Sequence, residues 1–269
     1  DLEGIHYLRA IPDSDALIAA CKESERSVVV GGGFIGLELA SSFRRLGLDV
    51  TLVYMEDRLW PATLTPYLSE WLASHYRDQG VRLLPESQGA AFQGDGRVGS
   101  VALASGAELA ADFAALGVGV RPAIGLVEGT PLADANGIAT NGRLETAIPG
   151  IYAAGDVAWY QDVVFGKHRR VEHTETARGH GTVAGANMAG ADEEYSDVPY
   201  FFSDLFDLEL EFAGDFDVPP DAVELDGSPA DGPFIARYSV GGRLSAAVCV
   251  DREEAEVDAI KDEIREAQK

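Results

Sequence analysis

The run Ser27-Val28-Val29-Val30-Gly31-Gly32-Gly33-Phe34-Ile35-Gly36-Leu37-Glu38 leaves few folds open to this chain. A block of β-branched residues without polar alternation reads as a strand buried on both faces, and the helical periodicity that follows begins directly at a Gly-x-Gly-x-x-Gly turn. Gly31 permits a tight strand-to-helix turn, and Gly33 lets backbone approach a pyrophosphate with no side chain in the way. Gly36 lets the helix lie close against the strand. The helix N-terminus then offers free N–H groups and a partial positive charge to phosphates. The spacing predicts a Rossmann-type unit that binds a dinucleotide.

The pattern around this turn alternates strand and helix: a strand over 27–30, a helix over 34–46 closed by Gly47, a strand over 49–54, a helix over 64–79 and a strand over 81–84. Gly94-Asp95-Gly96 and Ser105-Gly106 mark polar hairpins inserted before the apolar run 112–117. An acid that binds the adenosine ribose is expected about 20 residues beyond the glycines. Tyr54 holds the usual place, which leaves Glu56, with Asp57 as the weaker choice. Arg58 is the single nearby base, so NAD(H) is favoured over NADP. Further on, Ile151-Tyr152-Ala153-Ala154-Gly155-Asp156 reads as a second short strand ending in Gly-Asp, followed by a Gly/Ala-rich helix over 174–189. The expected divisions are a lead-in segment over 1–25, a Rossmann-type unit over 26–127, a second α/β segment over 128–195 and an α+β domain over 196–269 that ends in a charged amphipathic helix.

With 269 residues the chain can bury two cores. Its 45 acidic against 21 basic residues, a net charge of −24, disfavour nucleic acid and anionic lipid, since phosphate contacts need clustered Lys and Arg. The acids are spread along the sequence, which suits a solvated surface in a salty cytoplasm. A docking face for a basic partner is the sharper alternative, and an acidic ferredoxin would be repelled at low salt. No apolar run approaches the roughly 20 residues that span a bilayer. Neither a signal peptide nor a metal-ligand spacing is visible, and Cys21 and Cys249 read as two thiols in a reducing cytoplasm. The first residue is Asp1 rather than Met, as in a cleavage product or an expressed fragment.

Several motifs in order resemble the FAD-dependent pyridine nucleotide oxidoreductases, in particular their ferredoxin reductase and apoptosis-inducing factor branch. They are Val30 to Ala40, Gly117-Val118-Gly119-Val120-Arg121-Pro122, Ile151 to Ala158, Arg170-Val171-Glu172-His173 and Pro199-Tyr200-Phe201-Phe202-Ser203-Asp204. The resemblance implies an NAD(P)H-binding domain inserted into a split FAD domain, so that 128–195 is the return segment of the FAD domain and 196–269 an interface domain. It implies that the first half of the FAD domain precedes Asp1. It places Gly119, Gly155 and Asp156 at the cofactors, Phe34 and Glu38 beside the nicotinamide and flavin rings, and Glu172 and His173 near the isoalloxazine. Phe202 stands where the apoptosis-inducing factor branch tends to carry Trp. Tyr54 departs from the family's common ribose Glu.

The chemistry so implied is hydride transfer from NADH to FAD and electron delivery to a ferredoxin, a rubredoxin or a quinone. A His-x-x-x-x-Glu-Pro signature of the disulfide reductases is not found. The same residues have plain alternatives: Phe34 as a packing residue, Glu38 as a solvent-facing acid, His173 as a structural histidine, Glu56 and Asp57 as loop acids. His168 and His180 are expected to do no chemistry. Two rival readings stay open, an NADH-responsive binding protein whose dimer interface is controlled by the nucleotide and an NAD-binding fragment without flavin. Half of a split domain also predicts weak FAD binding by this chain and an apolar sheet edge near 145–195, covered by rearrangement or by a homodimer.

Overall fold

The computed structural model describes residues 2–269. These form two compact units, residues 2–119 with 203–208, and residues 120–202 with 209–269.

The first unit is a Rossmann-type layer. Its elements run β1 (Ile5–Tyr7), α1 (Ile11–Lys22), β2 (Arg26–Val30), α2 (Phe34–Arg45), β3 (Asp49–Val53), α3 (Pro66–Asp78), β4 (Arg82–Leu84), β5 (Gly89–Asp95), β6 (Arg97–Leu103), β7 (Glu108–Ala110) and β8 (Phe113–Leu116). One sheet has the order β1-β8-β2-β3-β4 and is parallel throughout. Its central strands are apolar on both faces, as in Val28-Val29-Val30 and Phe113-Ala114-Ala115, because helices pack on the sheet and β6 and β7 cover Val28, Val53 and Ala114 with Val101, Leu103 and Leu109. The chain winds from β2 outward to β4 and then returns to place β8 on the other side of β2. The strand order therefore reverses between β2 and β8, the point at which open α/β sheets bind ligands. The hairpins expected over 91–110 form the antiparallel sheet β5-β6-β7. Residues 1–25, read as a separate lead-in, give β1 and α1 to this unit, with β1 paired in register to β8.

The second unit starts at Val120 rather than after 127. Its first elements are β9 (Ala133–Asp134), β10 (Gly137–Thr140), β11 (Ala158–Asp162), β12 (Lys167–Arg169) and α4 (Thr174–Met188). They are followed by β13 (Tyr200–Leu205) and β14 (Leu208–Gly214), of which residues 203–208 are counted with the first unit, and by β15 (Ala222–Gly227), β16 (Phe234–Val240), β17 (Arg243–Val250) and α5 (Glu254–Ala267). One sheet has the order β12-β11-β10-β9 and the other β13-β14-β17-β16-β15. The tail helix α5 carries Val257, Ile260 and Ile264 on one stripe, buried against Ala213, Ile235, Ala247 and Cys249. A capping box between Glu253 and Glu256 starts it. The strand expected over 151–156 is corrected: Tyr152 makes a single bridge to Glu145, and Gly155–Val157 is a 3-10 turn. The ladder instead forms one step later, where β11 finds β10 and β12 as partners.

Buried charge ties the β11–β12 hairpin to the loop after β14. Arg169 lies 3.3 Å from Asp162 and 2.8 Å from Asp215, and Lys167 reaches Asp215 at 2.6 Å and Asp217 at 2.8 Å. The Arg169 guanidinium also lies over the Phe165 ring at 5.0 Å. Removing one partner of such a network leaves an uncompensated buried charge. Arg169→Met is expected to lower unfolding free energy by about 3–5 kcal/mol, because it leaves the buried Asp162 with no cation and Asp215 with Lys167 alone. Urea denaturation checks this, and a loss near zero would show that the network contributes no net stability.

Candidate functional site

The Gly31–Gly36 turn is fixed by close backbone contact. A Cβ on Gly31, which has φ +111°, would stand 2.2 Å from the Gly117 carbonyl oxygen. A Cβ on Gly36 would stand 1.9 Å from the carbonyl oxygen of Gly31. Both distances are far inside van der Waals contact, so only glycine lets β2, β8 and α2 converge. Gly33 is the exception: nothing lies within 4 Å of its Cβ position, and its φ is −74°. It faces open space at the N-terminus of α2. No side chain caps that helix, and its first turn carries no acid, while Arg44 and Arg45 sit in its last turn. The free N–H groups of the first turn are thus available to an anion. These residues fit a dinucleotide pyrophosphate, and the opening at Gly33 is what a closer side chain would fill.

The other candidate residues of the first unit lie on α2 or beyond the ends of β3 and β8. Gly119, with φ +93°, lies just beyond the end of β8. Glu56 is exposed just past β3, and Tyr54 is buried with its Cβ against Gly32. Arg58 is engaged by Asp57 at 3.1 Å. Phe34 packs on Trp60, ring centroids 4.3 Å apart. Glu38 is half-buried rather than solvent-facing, and Ser203 Oγ donates to its Oε1 at 2.6 Å. Burial lifts the Glu38 carboxyl above its ordinary value, the Ser203 hydrogen bond opposes this, and the Asp204 charge adds to it.

In the second unit Gly155 adopts φ +74° at the start of the 3-10 turn, with Ala177 of α4 as its neighbour. Asp156 next to it is exposed. The Gly155 N–H donates to His180 Nδ1 at 3.3 Å. His180 is fully buried between Tyr160 at 4.4 Å and Tyr195 at 4.5 Å, both rings edge-on. Burial lowers its pKa to about 4. His173 is the N-cap of α4 and stacks on Phe201 at 4.1 Å, which stacks on Phe212 at 4.5 Å. Burial lowers its pKa also to about 4, against the opposing charge of Asp156. Glu172 pairs with Arg170, and Phe202 is 55% exposed. Gly155 and an exposed Asp156 beside an uncapped helix start are compatible with the polyol part of a flavin dinucleotide.

The family described as pyridine nucleotide-disulphide oxidoreductase matches residues 1–181. The chain belongs to this family. A monodehydroascorbate reductase of Pisum sativum is 37% identical over 222 residues, which is 79% of this chain and 51% of the relative. The ferredoxin–NAD(+) reductase component of the anthranilate 1,2-dioxygenase system of Burkholderia cepacia is 33% identical over 248 residues, 91% of this chain and 61% of the relative. Among solved structures, a ferredoxin reductase from Rhodopseudomonas palustris aligns with a TM-score of 0.90 at 31% identity, covering 96% of this chain and 64% of the other. Putidaredoxin reductase, in its covalent complex with putidaredoxin, aligns with a TM-score of 0.92 at 27% identity, covering 98% of this chain and 64% of the other. The fold is that of the ferredoxin reductase-type FAD- and NAD-binding proteins. The chain spans about half the length of the curated plant relatives it matches. No helix among the described residues is long and apolar enough to cross a membrane.

Ser203 and Phe201, which the motif 199–204 contains without a role, and Trp60 and His180 all make contacts with these residues or their neighbours. Ser203 lies 165 positions from Glu38, and no local spacing signals that bond. For His180 the hint was a histidine inside a glycine-rich helix that packs closely on its neighbours.

Two outcomes follow. Gly33→Ala is expected to leave thermal stability unchanged and to weaken NADH binding at least tenfold, which corresponds to about 1.4 kcal/mol. Gly36→Ala should lower stability as well, because its methyl meets backbone. Equal melting temperatures with equal NADH affinity for Gly33→Ala would refute the phosphate site. The second outcome concerns acid. His180 has its folded pKa near 4, below the unfolded value of 6.5. The unfolded state therefore binds more protons between these values, and stability present above pH 6.5 is lost as pH falls toward 4. His180→Gln should flatten that pH dependence by on the order of 2–3 kcal/mol. Parallel stability curves for the two proteins would contradict it.

Proposed function

We propose that the chain is the nicotinamide-binding part, with a portion of the flavin-binding part, of an FAD-dependent NADH oxidoreductase. Its electron acceptor is a carrier protein of the ferredoxin or rubredoxin type, or a quinone. The observation that carries this reading is the glycine cradle at the β2–β8 switch point, closed by backbone at Gly31 and Gly36 and open only at Gly33. NADH is preferred to NADPH because Glu56 and Asp57 stand where the adenosine ribose would lie and Asp57 already occupies Arg58. A 2′-phosphate would meet acids there and no free base.

Phe34 and Glu38, four residues apart on α2, share one helix face and flank the nicotinamide. Phe34 excludes water from one side of the ring, and Glu38 accepts a donor from its amide. In the second unit the Asp156 carboxylate accepts from the hydroxyls of the flavin's polyol chain. His173, kept neutral by burial, stays stacked on Phe201, and with Glu172 and Phe202 it borders the flavin ring. FAD, when bound, supplies the acceptor for the hydride and returns the electrons singly to the carrier. Cys21 and Cys249 are buried and unpaired, which suits a reducing, cytoplasmic compartment.

A second reading, with a small organic radical as acceptor, is favoured by the 37% identity to the pea monodehydroascorbate reductase. The test is anaerobic titration of the purified chain, supplied with excess FAD, with NADH and then NADPH. Bleaching of the flavin band by NADH, about tenfold less effective with NADPH, is expected. Recovery of the band on adding an oxidised ferredoxin favours the carrier reading, and recovery only with an ascorbate radical source favours the second. A chain that binds NADH and never bleaches flavin would overturn both.

A further inference from the structure

Residues Ser203–Leu208 belong to the first unit and grip α2 and α3 at several points. Ser203 Oγ donates to Glu38 Oε1 at 2.6 Å, and the Phe206 N–H donates to Ser41 Oγ at 2.7 Å. The Phe206 carbonyl accepts from Arg45 at 3.1 Å. The Phe206 ring lies 5.1 Å from that of Tyr76 and 5.6 Å from that of His75, and His75 Nε2 lies 3.3 Å from Asp207. Phe206 adopts φ +59°, a conformation that a bulky residue keeps only when its surroundings over-determine it. The Ser203 hydroxyl is therefore set by a clasp of fixed groups rather than by a loose loop, and Ser203 itself is buried.

Resting on the reading that Glu38 faces the nicotinamide, we propose that Ser203 is a positioning residue that fixes the Glu38 carboxylate in one orientation beside the ring. A carboxylate has two oxygens, and Ser203 engages Oε1, which offers Oε2 to a donor on the ligand. Among the described residues Glu38 has no ion-pair partner. The titratable groups that face it are Asp204, from the clasp, and Tyr76, from α3, whose hydroxyl donates to the Leu37 carbonyl at 2.9 Å. Neither is a cation. Burial and Asp204 both favour the protonated acid, and the Ser203 hydroxyl is the group that opposes them. A half-buried acid without that donor would turn between rotamers and take up a proton more readily.

The experiment measures NADH affinity of the 269-residue chain across pH, with the carbon-13 carboxyl titration of Glu38 read in parallel without nucleotide. Ser203→Ala is expected to weaken NADH about tenfold near neutral pH, the size typical of a hydrogen bond to a charged group. It should raise the Glu38 midpoint, since the hydroxyl that holds it down is gone. Ser203→Thr keeps the hydroxyl and should restore both, even if the alanine variant proves hard to fold. Glu38→Gln should weaken NADH too, and adding Ser203→Ala to it should cost nothing further, since residues acting as one unit do not add. Unchanged affinity and titration in Ser203→Ala, or fully additive losses, would overturn the proposal. A raised Glu38 midpoint together with full NADH affinity in Glu38→Gln also overturns it, and locates the failure in the placing of Glu38 at the nicotinamide.

Discussion

Three backbone segments touch where β2, β8 and the start of α2 meet, and the proposed dinucleotide site rests on that contact. The Cβ positions of Gly31 and Gly36 fall 2.2 Å and 1.9 Å from carbonyl oxygens of Gly117 and Gly31. A side chain at Gly36 would push α2 away from the end of β2, and one at Gly31 would push away the backbone that follows β8. With glycine there, the first turn of the helix sits directly above the strand ends, at the place where strand order reverses. The position of every other group on α2 is then a matter of helical geometry. Phe34 opens the helix, Glu38 lies one turn later on the same face, and Leu37 and Ala40 turn inward to the core. Gly33 alone is spared contact, so the cradle is rigid on the protein side and open on the ligand side.

The second unit uses charge where the first uses close packing. Arg169 serves two carboxylates with opposite results. For Asp162, burial outweighs the guanidinium and the backbone N–H groups of Phe165 and Val164, and its pKa rises. For Asp215, burial pulls the same way, but Lys167 and Arg169 together overcome it and the pKa falls. Lys167 is the difference between them. A network of this kind fixes the hairpin to the loop after β14 in one arrangement, because sliding either element would leave a desolvated charge without its partner.

What the sequence showed clearly was what local geometry dictates. The strand-turn-helix at 27–46 was legible because glycines at fixed spacing have few uses, and the hairpins over 91–110 because Gly-Asp-Gly and Ser-Gly turns announce themselves. The stretch 151–156 was misread since an apolar run becomes a strand only if a partner lies alongside, and pairing is not written locally. Ser203 on Glu38 and the clasp around Phe206 were invisible for the same reason: the bonded residues lie 165 positions apart. Glu38 carried a plain alternative as a solvent-facing acid, and burial together with that long-range bond decides against it.

His180 of α4, set aside in the sequence, acquires a task beside the candidate His173. His173 is the N-cap of α4, with extended backbone, and His180 lies within the helix. Both meet the Gly155–Asp156 turn: His180 Nδ1 accepts the Gly155 N–H, and the Asp156 charge is felt at His173. An imidazole that accepts at Nδ1 must be neutral there, and burial keeps it so well below neutral pH. Desolvation likewise outweighs Asp156 at His173. Both rings thus reach this turn uncharged, and neither neutralises Asp156. An exposed carboxylate left in that state accepts hydroxyl donors and repels phosphate, so under the proposed function Asp156 takes the polyol and the open helix start at Gly33 takes the anion.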